Sequence, residues 1–290
     1  MAPRRQLATW IGFSAVLMWS LLAVFTAASG AVPPFQLTAM AFTVSGLLGL
    51  GWVAATGRAS DLVIPIRAWI LGIGGLFGFH FFYFTALRGA PPVEASLISY
   101  LWPLLIVVFS ALLPGERLRW YHLAGALLGL AGTVIVVTGG QSVSIDPQFA
   151  AGYAAALGAA LTWSAYSVLS RRFASVGTGA VAGFCLASAA LSAIAHLVLE
   201  ETVWPAGIGE WLAVGGLGLM PVGAAFYVWD YGVKHGDIQV LGASAYAAPL
   251  LSTIVLIVAG FAAPAWSIAM ATALIAGGAA LAAKDAFRRR

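Results

Sequence analysis

The sequence predicts an all-α integral membrane protein in which ten transmembrane helices form two inverted five-helix repeats around a central cavity. Three observations support this prediction: a high hydropathy, ten apolar runs of membrane-spanning length, and an internal repeat. Of 290 residues, 61% are hydrophobic and only 8% are charged, and the mean hydropathy is +0.96. A soluble domain needs more polar surface than this composition can supply.

The apolar runs have the length of membrane-spanning helices. Crossing a hydrocarbon layer of ~30 Å takes roughly 20 residues of helix. We predict such helices at residues 7–29, 34–56, 66–87, 92–113, 118–138, 149–170, 178–199, 210–233, 238–260 and 265–283. Membrane β-strands would need alternating polar and apolar residues over ~10 positions, a pattern that the sequence lacks.

The first run also has the start of a signal peptide, because Arg4 and Arg5 precede it. A signal-peptide core contains about 7 to 15 apolar residues, whereas the run at 7–29 is longer. The run also takes part in the internal repeat described below. We therefore expect it to be retained as the first transmembrane helix.

The positive charges predict the orientation. With ten helices, both termini lie on one side of the membrane, and all Lys and Arg residues except Arg88 fall on that side. They are Arg4, Arg5, Arg58, Arg67, Arg117, Arg119, Arg171, Arg172, Lys234, Lys284, Arg288, Arg289 and Arg290. Because positive loops are retained in the cytoplasm, both termini should be cytoplasmic. The net charge of +4 thus reflects topology and gives no support to nucleic-acid binding.

An internal repeat divides the chain into halves at 1–140 and 141–290. Shifted by 146 positions, Arg88 falls on Lys234, Tyr100 on Tyr246, Pro103 on Pro249, Trp120 on Trp266 and Gly132 on Gly278. A shift of 144 places Trp19 on Trp163. Because each half has an odd number of helices, the second copy should be inverted in the membrane. Transporters commonly use this plan, with a substrate site near the midplane.

Pro103 and Pro249 lie in the middle of equivalent runs. Each proline removes a backbone hydrogen bond and bends its helix. A kink of this kind either lines a cavity and permits gating or serves simple packing. We expect the first role, at both prolines.

One charged turn interrupts the apolar pattern, "RGAPPVE" at residues 88–94. Pro91 and Pro92 should end the third helix and begin the fourth. Glu94 at the start of the fourth helix should pair with Arg88, the single external cation. We expect this pair to have a structural role.

Two motifs resemble those of a known family. "SYLWPLL" at residues 99–105 and the turn in "LLPGERLRWYHLAGALLGLAGTVIVV" at residues 112–137 are similar to the drug/metabolite transporter superfamily, EamA type. Within it, the chain resembles the YddG-type exporters of aromatic amino acids in bacterial inner membranes. The resemblance covers nearly the whole chain, although the equivalent turn "FAAPAW" of the second half lacks Glu and Arg. It implies a ten-helix carrier with a central cavity that exports small metabolites.

Mid-membrane rings and polar groups indicate the substrate site, because such side chains are costly in lipid and should face the interior. The candidates for substrate binding are Trp19, His80, Tyr83, Tyr100, Trp102, Trp163, Tyr166, Phe226, Trp229 and Tyr246. A cavity lined by rings suits a small neutral or zwitterionic solute with an apolar or aromatic side chain. Packing alone would also account for mid-membrane aromatics.

The remaining helices, the second, fifth, seventh and tenth, carry few such groups. Small residues three or four apart suit close helix packing. They occur at Gly125, Gly129 and Gly132 in the fifth helix and at Ala269, Ala273 and Gly277 in the tenth. We expect these four helices to form an outer, supporting layer.

His80 and Asp230 are the candidates for a proton-linked or polar role. A histidine can change its charge near neutral pH, but His80 can equally be neutral and bonded to a backbone carbonyl. Asp230 is followed by Lys234 at i+4, which favours a local ion pair. Cys185 is single and falls within a helix, so neither a disulfide nor a cysteine metal site is indicated.

Together these features favour export of aromatic and other apolar amino acids, or of similar neutral metabolites, by alternating access, driven by the substrate gradient. The alternative is a proton-coupled exporter of drugs or other small metabolites, which should place a carboxylate deep in the membrane. A sugar-phosphate carrier would need deep cations, and an enzyme would need a catalytic constellation; the sequence has neither. We expect no cofactor and no metal, and as partners a small-molecule substrate and the lipid bilayer. The chain should act as a monomer.

Overall fold

The computed structural model describes residues 3–260, 263 and 265–284, and within this part the regular structure is entirely helical. Ten long segments lie where the apolar runs were predicted. They are α1 (Arg4–Ala28), α2 (Pro34–Ala55), α3 (Ile66–Gly89), α4 (Pro92–Leu112), α5 (Trp120–Thr138), α6 (Ala150–Leu169), α7 (Ala180–Leu199), α8 (Ile208–His235), α9 (Ile238–Val258) and α10 (Trp266–Ala282).

Eight of the described segments are long and apolar enough to cross a membrane, namely all except α6 and α10. The shorter α10 is an apolar helix of 17 residues, and α6 has 20 residues. The class of multi-pass, all-α membrane protein is therefore confirmed. Ten crossings stay a prediction, as do the residues that bound the two halves.

Helices of the first half pack chiefly on helices of the second. The most extensive pairs are α5 with α10, α3 with α6, α2 with α7, α1 with α8 and α4 with α6, and α4 also contacts α9. A shift of five helices turns each pair into itself or into another pair in contact, since α1 with α8 becomes α6 with α3 and α4 with α6 becomes α9 with α1. A two-fold relation between the halves would produce this pattern, but the inversion itself stays a prediction.

Glycines allow the closest of these approaches. Gly12 of α1 lies against Gly232 of α8, and Gly125 of α5 lies against the Gly278 carbonyl of α10, so that neither site has room for a side chain. Backbone contact at small residues is typical of packed membrane helices. The prediction for α5 is confirmed, because Gly125 and Gly129 are buried.

The predicted face of α10 is wrong. Ala269, Ala273 and Gly277 are exposed, whereas the buried face includes Ala271 and Gly278. Many residues of α10 are small, so more than one stripe of small residues lies at the required spacing. Spacing alone therefore could not select the face that meets α5.

Four of the ten segments are interrupted. Turns break α1 at Ser20–Leu21, α4 at Tyr100–Leu101 and α9 at Ala245–Tyr246. In α8 a π-helical segment at Met220–Ala224 interrupts the α-helix, and Gly223 within it is non-helical with φ −109° and ψ −108°. The breaks in α4 and α9 precede Pro103 and Pro249 and agree with the predicted bends. Those in α1 and α8 were not predicted.

One end of the bundle is held together by a network of charged groups from separate loops. Glu116 accepts hydrogen bonds from Arg5 at 2.9 Å and from Arg171 at 2.5 Å. Arg5 also lies 3.5 Å from Asp237, and Arg171 donates to the Gly236 carbonyl. Burial lowers the pKa of Arg171, and the Glu116 carboxylate opposes this effect. We call this the basic end, since it carries the cationic loops named above.

At the opposite end, Glu200 takes the place that was predicted for Glu94. Arg88 donates to Glu200 at 2.6 Å, and the same carboxylate accepts from the backbone N–H groups of Phe35 and Gln36 at the start of α2. The Arg88–Glu94 pair is therefore wrong. Sequence proximity favoured Glu94, whereas the fold brings Glu200 to Arg88 from the end of α7.

The outer-layer prediction is wrong for α2. Its Phe42 is fully buried and stacks on Phe226 with ring centroids 5.7 Å apart. α5 and α10 pack mainly on each other, and Leu127 and Leu128 of α5 are exposed. The interior is thus lined by α2 as well as by the helices that carry Trp, Tyr and His.

Candidate functional site

Four tryptophans meet in the middle of the molecule. We call Trp19 of α1, Trp102 of α4, Trp163 of α6 and Trp229 of α8 the tryptophan cluster. Each ring contacts the other three, with centroid distances from 5.0 to 6.4 Å. Trp102, Trp163 and Trp229 are buried, and Trp19 is half-buried. Most pairs are edge-on or tilted, the geometry that aromatic quadrupoles favour.

Hydrogen bonds fix the orientation of these rings. The Trp19 indole N–H donates to the Pro221 carbonyl at 3.1 Å, which ties α1 to the interrupted part of α8. The Trp229 indole N–H donates to Ser167 Oγ at 3.1 Å. Ser164 Oγ donates to the backbone carbonyl of Trp102 at 3.1 Å, next to the break in α4. The cluster is therefore built from positioned rings.

A second layer of rings adjoins the cluster. Phe226 lies 5.6 Å from Trp163, and His80 lies 5.2 Å from Phe42 and 6.3 Å from Phe226. Phe79 contacts both Trp163 and His80, at 5.6 and 5.3 Å. Phe42 and Phe79 were not among the predicted residues. In the sequence, both residues were marked only as aromatic residues in the middle of an apolar run. Nothing in the sequence shows which face of α2 or α3 turns inward.

The geometry of His80 agrees with the second of its two predicted roles, a neutral imidazole bonded to a backbone carbonyl. Its Nδ1 lies 2.7 Å from the Leu76 carbonyl, four residues back on α3. For that hydrogen bond Nδ1 must carry the proton and donate. The other ring nitrogen is left among the aromatic groups of the second layer, where a positive charge would be costly.

Three of the predicted tyrosines lie near the cluster. Tyr166 is buried with its ring 5.2 Å from Trp163. Tyr83 stacks on Phe79 at 5.8 Å, and its hydroxyl is 3.5 Å from Ser96 Oγ. Tyr100 lies at the break in α4 and is half-buried.

Tyr246 is separate from the other candidates. It is fully buried, its ring packs against Gly129 of α5, and its hydroxyl accepts a hydrogen bond from the Leu104 backbone N–H at 3.2 Å. It belongs to a smaller apolar core formed by α4, α5, α9 and α10. The structure does not bring Tyr246 to the tryptophan cluster.

Asp230 pairs with Lys234 at 2.8 Å, as the i+4 spacing predicted, but the pair is buried. The Asp230 carboxylate also accepts from Thr178 at 3.2 Å, and Lys234 donates to the Val176 carbonyl at 3.1 Å. The pair therefore joins α8 to the segment before α7. Removal of either partner would leave an uncompensated buried charge.

The packing of α4 and α9 differs between the two ends of the bundle. Toward the basic end, Trp102–Phe109 contacts Ile238–Ser244, and Gln239 donates to Ser110 at 3.2 Å. Toward the Arg88 end, Pro92–Ser99 packs on α3, α5 and α6. The corresponding part of α9, Ala247–Val258, packs on α1, α5 and α10. The two helices thus contact each other at the level of the cluster and toward the basic end. Toward the Arg88 end they pack on different helices.

The site suits binding more than catalysis. Within the described ranges, no group of three His, Cys, Asp or Glu side chains is placed to hold a metal ion. The groups that converge are aromatic rings with a few hydroxyls and one imidazole. Such a lining binds a ring through its faces and edges.

Known proteins that resemble this chain agree with a lining that binds aromatic rings. The model of the EamA-like transporter family matches residues 6–138 and 150–283. The chain is 58% identical to the "Aromatic amino acid exporter YddG" of Ancylobacter novellus over 282 residues, 96% of this chain and 97% of the relative. It is 25% identical to the Escherichia coli protein of the same name, over 96% and 97% of the two chains. A solved crystal structure of a 58% identical protein matches with a TM-score of 0.94 over 98% of each chain.

Proposed function

Because the chain belongs to the EamA-like transporter family, we propose that it exports aromatic and other apolar amino acids by alternating access. It is a transporter and not an enzyme, and it is a multi-pass protein of the inner membrane. The 58% identity with an aromatic amino acid exporter, over nearly the full length of both chains, supports the substrate class.

The tryptophan cluster is the observation that carries the proposal. It joins α1 and α4 of the first half to α6 and α8 of the second, so its rings must separate if the halves move apart. A substrate ring inserted among them would gain ~0.5–1.5 kcal/mol per ring contact beyond area burial. Its ammonium over a desolvated Trp would gain ~2 kcal/mol. Two or three such contacts select for aromatic side chains.

Two findings support a carrier made of ten spans in inverted halves. The family model matches the chain twice, at residues 6–138 and 150–283. The pairing of helices repeats after a shift of five. In such a carrier the substrate site lies between the halves, next to interrupted helices, and the breaks in α1, α4 and α8 adjoin the cluster.

We assign the basic end to the cytoplasm on the positive-inside rule. The network of Arg5, Glu116, Arg171 and Asp237 then closes the cytoplasmic side, while α4 and α9 diverge above the cluster toward the outside. The closed basic end and the different neighbours of α4 and α9 at the other end favour an outward-facing state. The network and the cluster are completed within one chain, which favours a monomer.

We propose that the substrate gradient drives transport. The alternative, a proton-coupled exporter of drugs or metabolites, needs a carboxylate that exchanges protons. Asp230 is held by Lys234 and Thr178. The ring nitrogen of His80 that is not bonded to Leu76 lies among aromatic rings, where taking up a proton would be costly.

The test is counterflow of radiolabelled tryptophan into proteoliposomes loaded with phenylalanine, tryptophan or sugar. We expect uptake with either amino acid and none with sugar, and the same initial rate with and without a pH gradient. Failure of all amino acids to support counterflow would refute the export of amino acids. A rate that follows the pH gradient in the wild type and becomes independent of it in His80→Gln would establish proton coupling instead.

A further inference from the structure

A cleft lies on the side of the bundle, away from the tryptophan cluster. It has a volume of about 590 Å³ and is bounded by α1, α2, α8 and the segment between α6 and α7. Its walls are mostly apolar, with Leu48 and Trp52 on one side and Leu219 and Val228 on the other. Within the membrane such a cleft must hold a hydrophobic occupant or be filled by collapse of its walls.

The cleft opens toward the bilayer. Leu48 is 54% exposed, Trp52 43% and Leu219 53%, and all three line its walls. The α8 segment Met220–Ala224 separates it from the cluster, since Gly223 and Ala224 line the cleft while the Pro221 carbonyl binds Trp19. An occupant therefore arrives from the lipid and does not share the substrate site.

The length of the cleft matches one leaflet. Along α8 it runs from Gly218 to His235, about 25 Å at ~1.5 Å per residue. Half of a bilayer, including its headgroup region, measures roughly 20–22 Å. The deep end is therefore close to the midplane, and the other end lies at the level of the headgroups on the basic side.

The charge at the headgroup level is positive. Arg58 and His235 are the ionisable side chains of the lining apart from two tyrosines, and the lining contains no carboxylate. The Arg58 guanidinium lies over the Trp52 ring at 5.4 Å. Among the described residues no carboxylate is within ion-pair distance of Arg58, and the nearby Asp61 accepts from the Gly179 backbone N–H. Arg58 thus has its hydrogen-bond donors available for an anion.

We propose that this cleft binds one anionic phospholipid from the leaflet at the basic end. The phosphate pairs with Arg58 at the mouth, and one acyl chain runs along Leu48 and Val228 to Gly223. The lipid thereby packs against the same segment of α8 whose Pro221 carbonyl orients Trp19. It fills the space between α2 and α8 that the protein leaves open.

Native mass spectrometry of the purified full chain tests the proposal, with phosphatidylglycerol and phosphatidylcholine of identical acyl chains as probes. We expect one phosphatidylglycerol to bind at least tenfold more tightly than phosphatidylcholine. Arg58→Gln should weaken phosphatidylglycerol binding about tenfold, which corresponds to about 1.4 kcal/mol, and leave phosphatidylcholine unchanged. The matched control is Arg67→Gln, because Arg67 is also exposed at the basic end but lies outside the cleft.

A second pair of variants tests the acyl-chain site separately. Ala224→Phe places a ring in the cleft and should remove the tight binding of phosphatidylglycerol, whereas Ala273→Phe on exposed α10 should not. Equal affinity for the two lipids, or an equal loss in Arg58→Gln and Arg67→Gln, would overturn the proposal. If Ala224→Phe fails to fold, the comparison of Arg58→Gln with Arg67→Gln tests the proposal on its own.

Discussion

α4 and α9 occupy equivalent places in the two halves, yet only one of them contributes to the site. Both are interrupted at the same depth, at Tyr100–Leu101 and Ala245–Tyr246. After the break α4 carries Trp102, which joins the tryptophan cluster. The corresponding residue of α9, 146 positions later, is Ala248.

The tyrosines at the two breaks show the same contrast. Tyr100 is half-buried and precedes Trp102 by two residues, whereas Tyr246 is fully buried against Gly129 and accepts a hydrogen bond from Leu104. The repeat thus determines where the backbone breaks, and the side chains around each break determine its use. A nearly symmetric scaffold holds a site that lies on the α4 side only, so equivalent substitutions in α4 and α9 should have different effects.

The largest expected effect is the loss of stability in Tyr246→Ala. Removal of a fully buried aromatic side chain costs about 3–5 kcal/mol of the free energy of unfolding. Tyr100→Ala should cost far less, because Tyr100 is only half-buried. Thermal unfolding in detergent measures both. Equal losses of stability in the two variants would mean that Tyr100 and Tyr246 contribute equally to packing, contrary to the contrast between the two breaks.

Gly129→Ala tests the other side of the Tyr246 contact. A methyl group there would run into the Tyr246 ring, and overpacking costs about 1–3 kcal/mol. Gly277→Ala in α10 is the control, since no atom lies within 4 Å of its added Cβ. A fall in the midpoint of thermal unfolding is expected for Gly129→Ala only. An unchanged midpoint would show that Tyr246 can move away at little cost.

Trp102→Ala should lower the stability, because removal of a buried Trp costs about 3–5 kcal/mol, and should in addition lower the transport of aromatic substrates selectively. Loss of one ring from the cluster should lower the initial rate of tryptophan counterflow about tenfold, equivalent to about 1.4 kcal/mol. Threonine counterflow should change less, because threonine has no ring to stack. Trp120→Ala, at an exposed position, is the matched control. The same loss for both substrates would indicate that Trp102 only supports the fold.

The smallest effect is expected for the hydroxyl groups. Tyr246→Phe removes the acceptor of the Leu104 N–H, and an unmade buried hydrogen bond costs about 1 kcal/mol. Tyr100→Phe should leave the unfolding midpoint unchanged. A substrate-dependent change of counterflow in Tyr100→Phe, with none in Tyr246→Phe, would sharpen the contrast further.

Hydropathy predicted the positions of the helices well, and the prolines predicted the breaks in α4 and α9, because both signals are local in the chain. Partners far apart in sequence were not accessible in this way. Arg88 was assigned to Glu94, six residues away, but binds Glu200. The break in α8 at Met220–Ala224 contains Pro221 and Gly223, yet its counterpart α3 is continuous, so the repeat gave no second signal for it.

The candidate site was predicted in composition more than in arrangement. Mid-run Trp residues were expected to face inward, but a single chain does not show that four of them touch one another. Tyr246 was included because its ring lies in mid-membrane, as does that of its repeat equivalent Tyr100, but its surroundings in α9 keep it apart from the cluster. Phe42 was missed because α2 has no Trp, Tyr or His in mid-membrane, and its single Trp, Trp52, lies near the end of the helix.

The mutual contact of the four tryptophans has a kinetic consequence for an alternating-access cycle. Six ring pairs at ~0.5–1.5 kcal/mol each stabilise the cluster by several kcal/mol against separation of its rings when no substrate is bound. An aromatic substrate replaces some of these ring contacts as they break, whereas a small aliphatic substrate cannot. The loaded protein should therefore reorient faster than the vacant one, so that exchange of one aromatic amino acid for another outpaces net efflux.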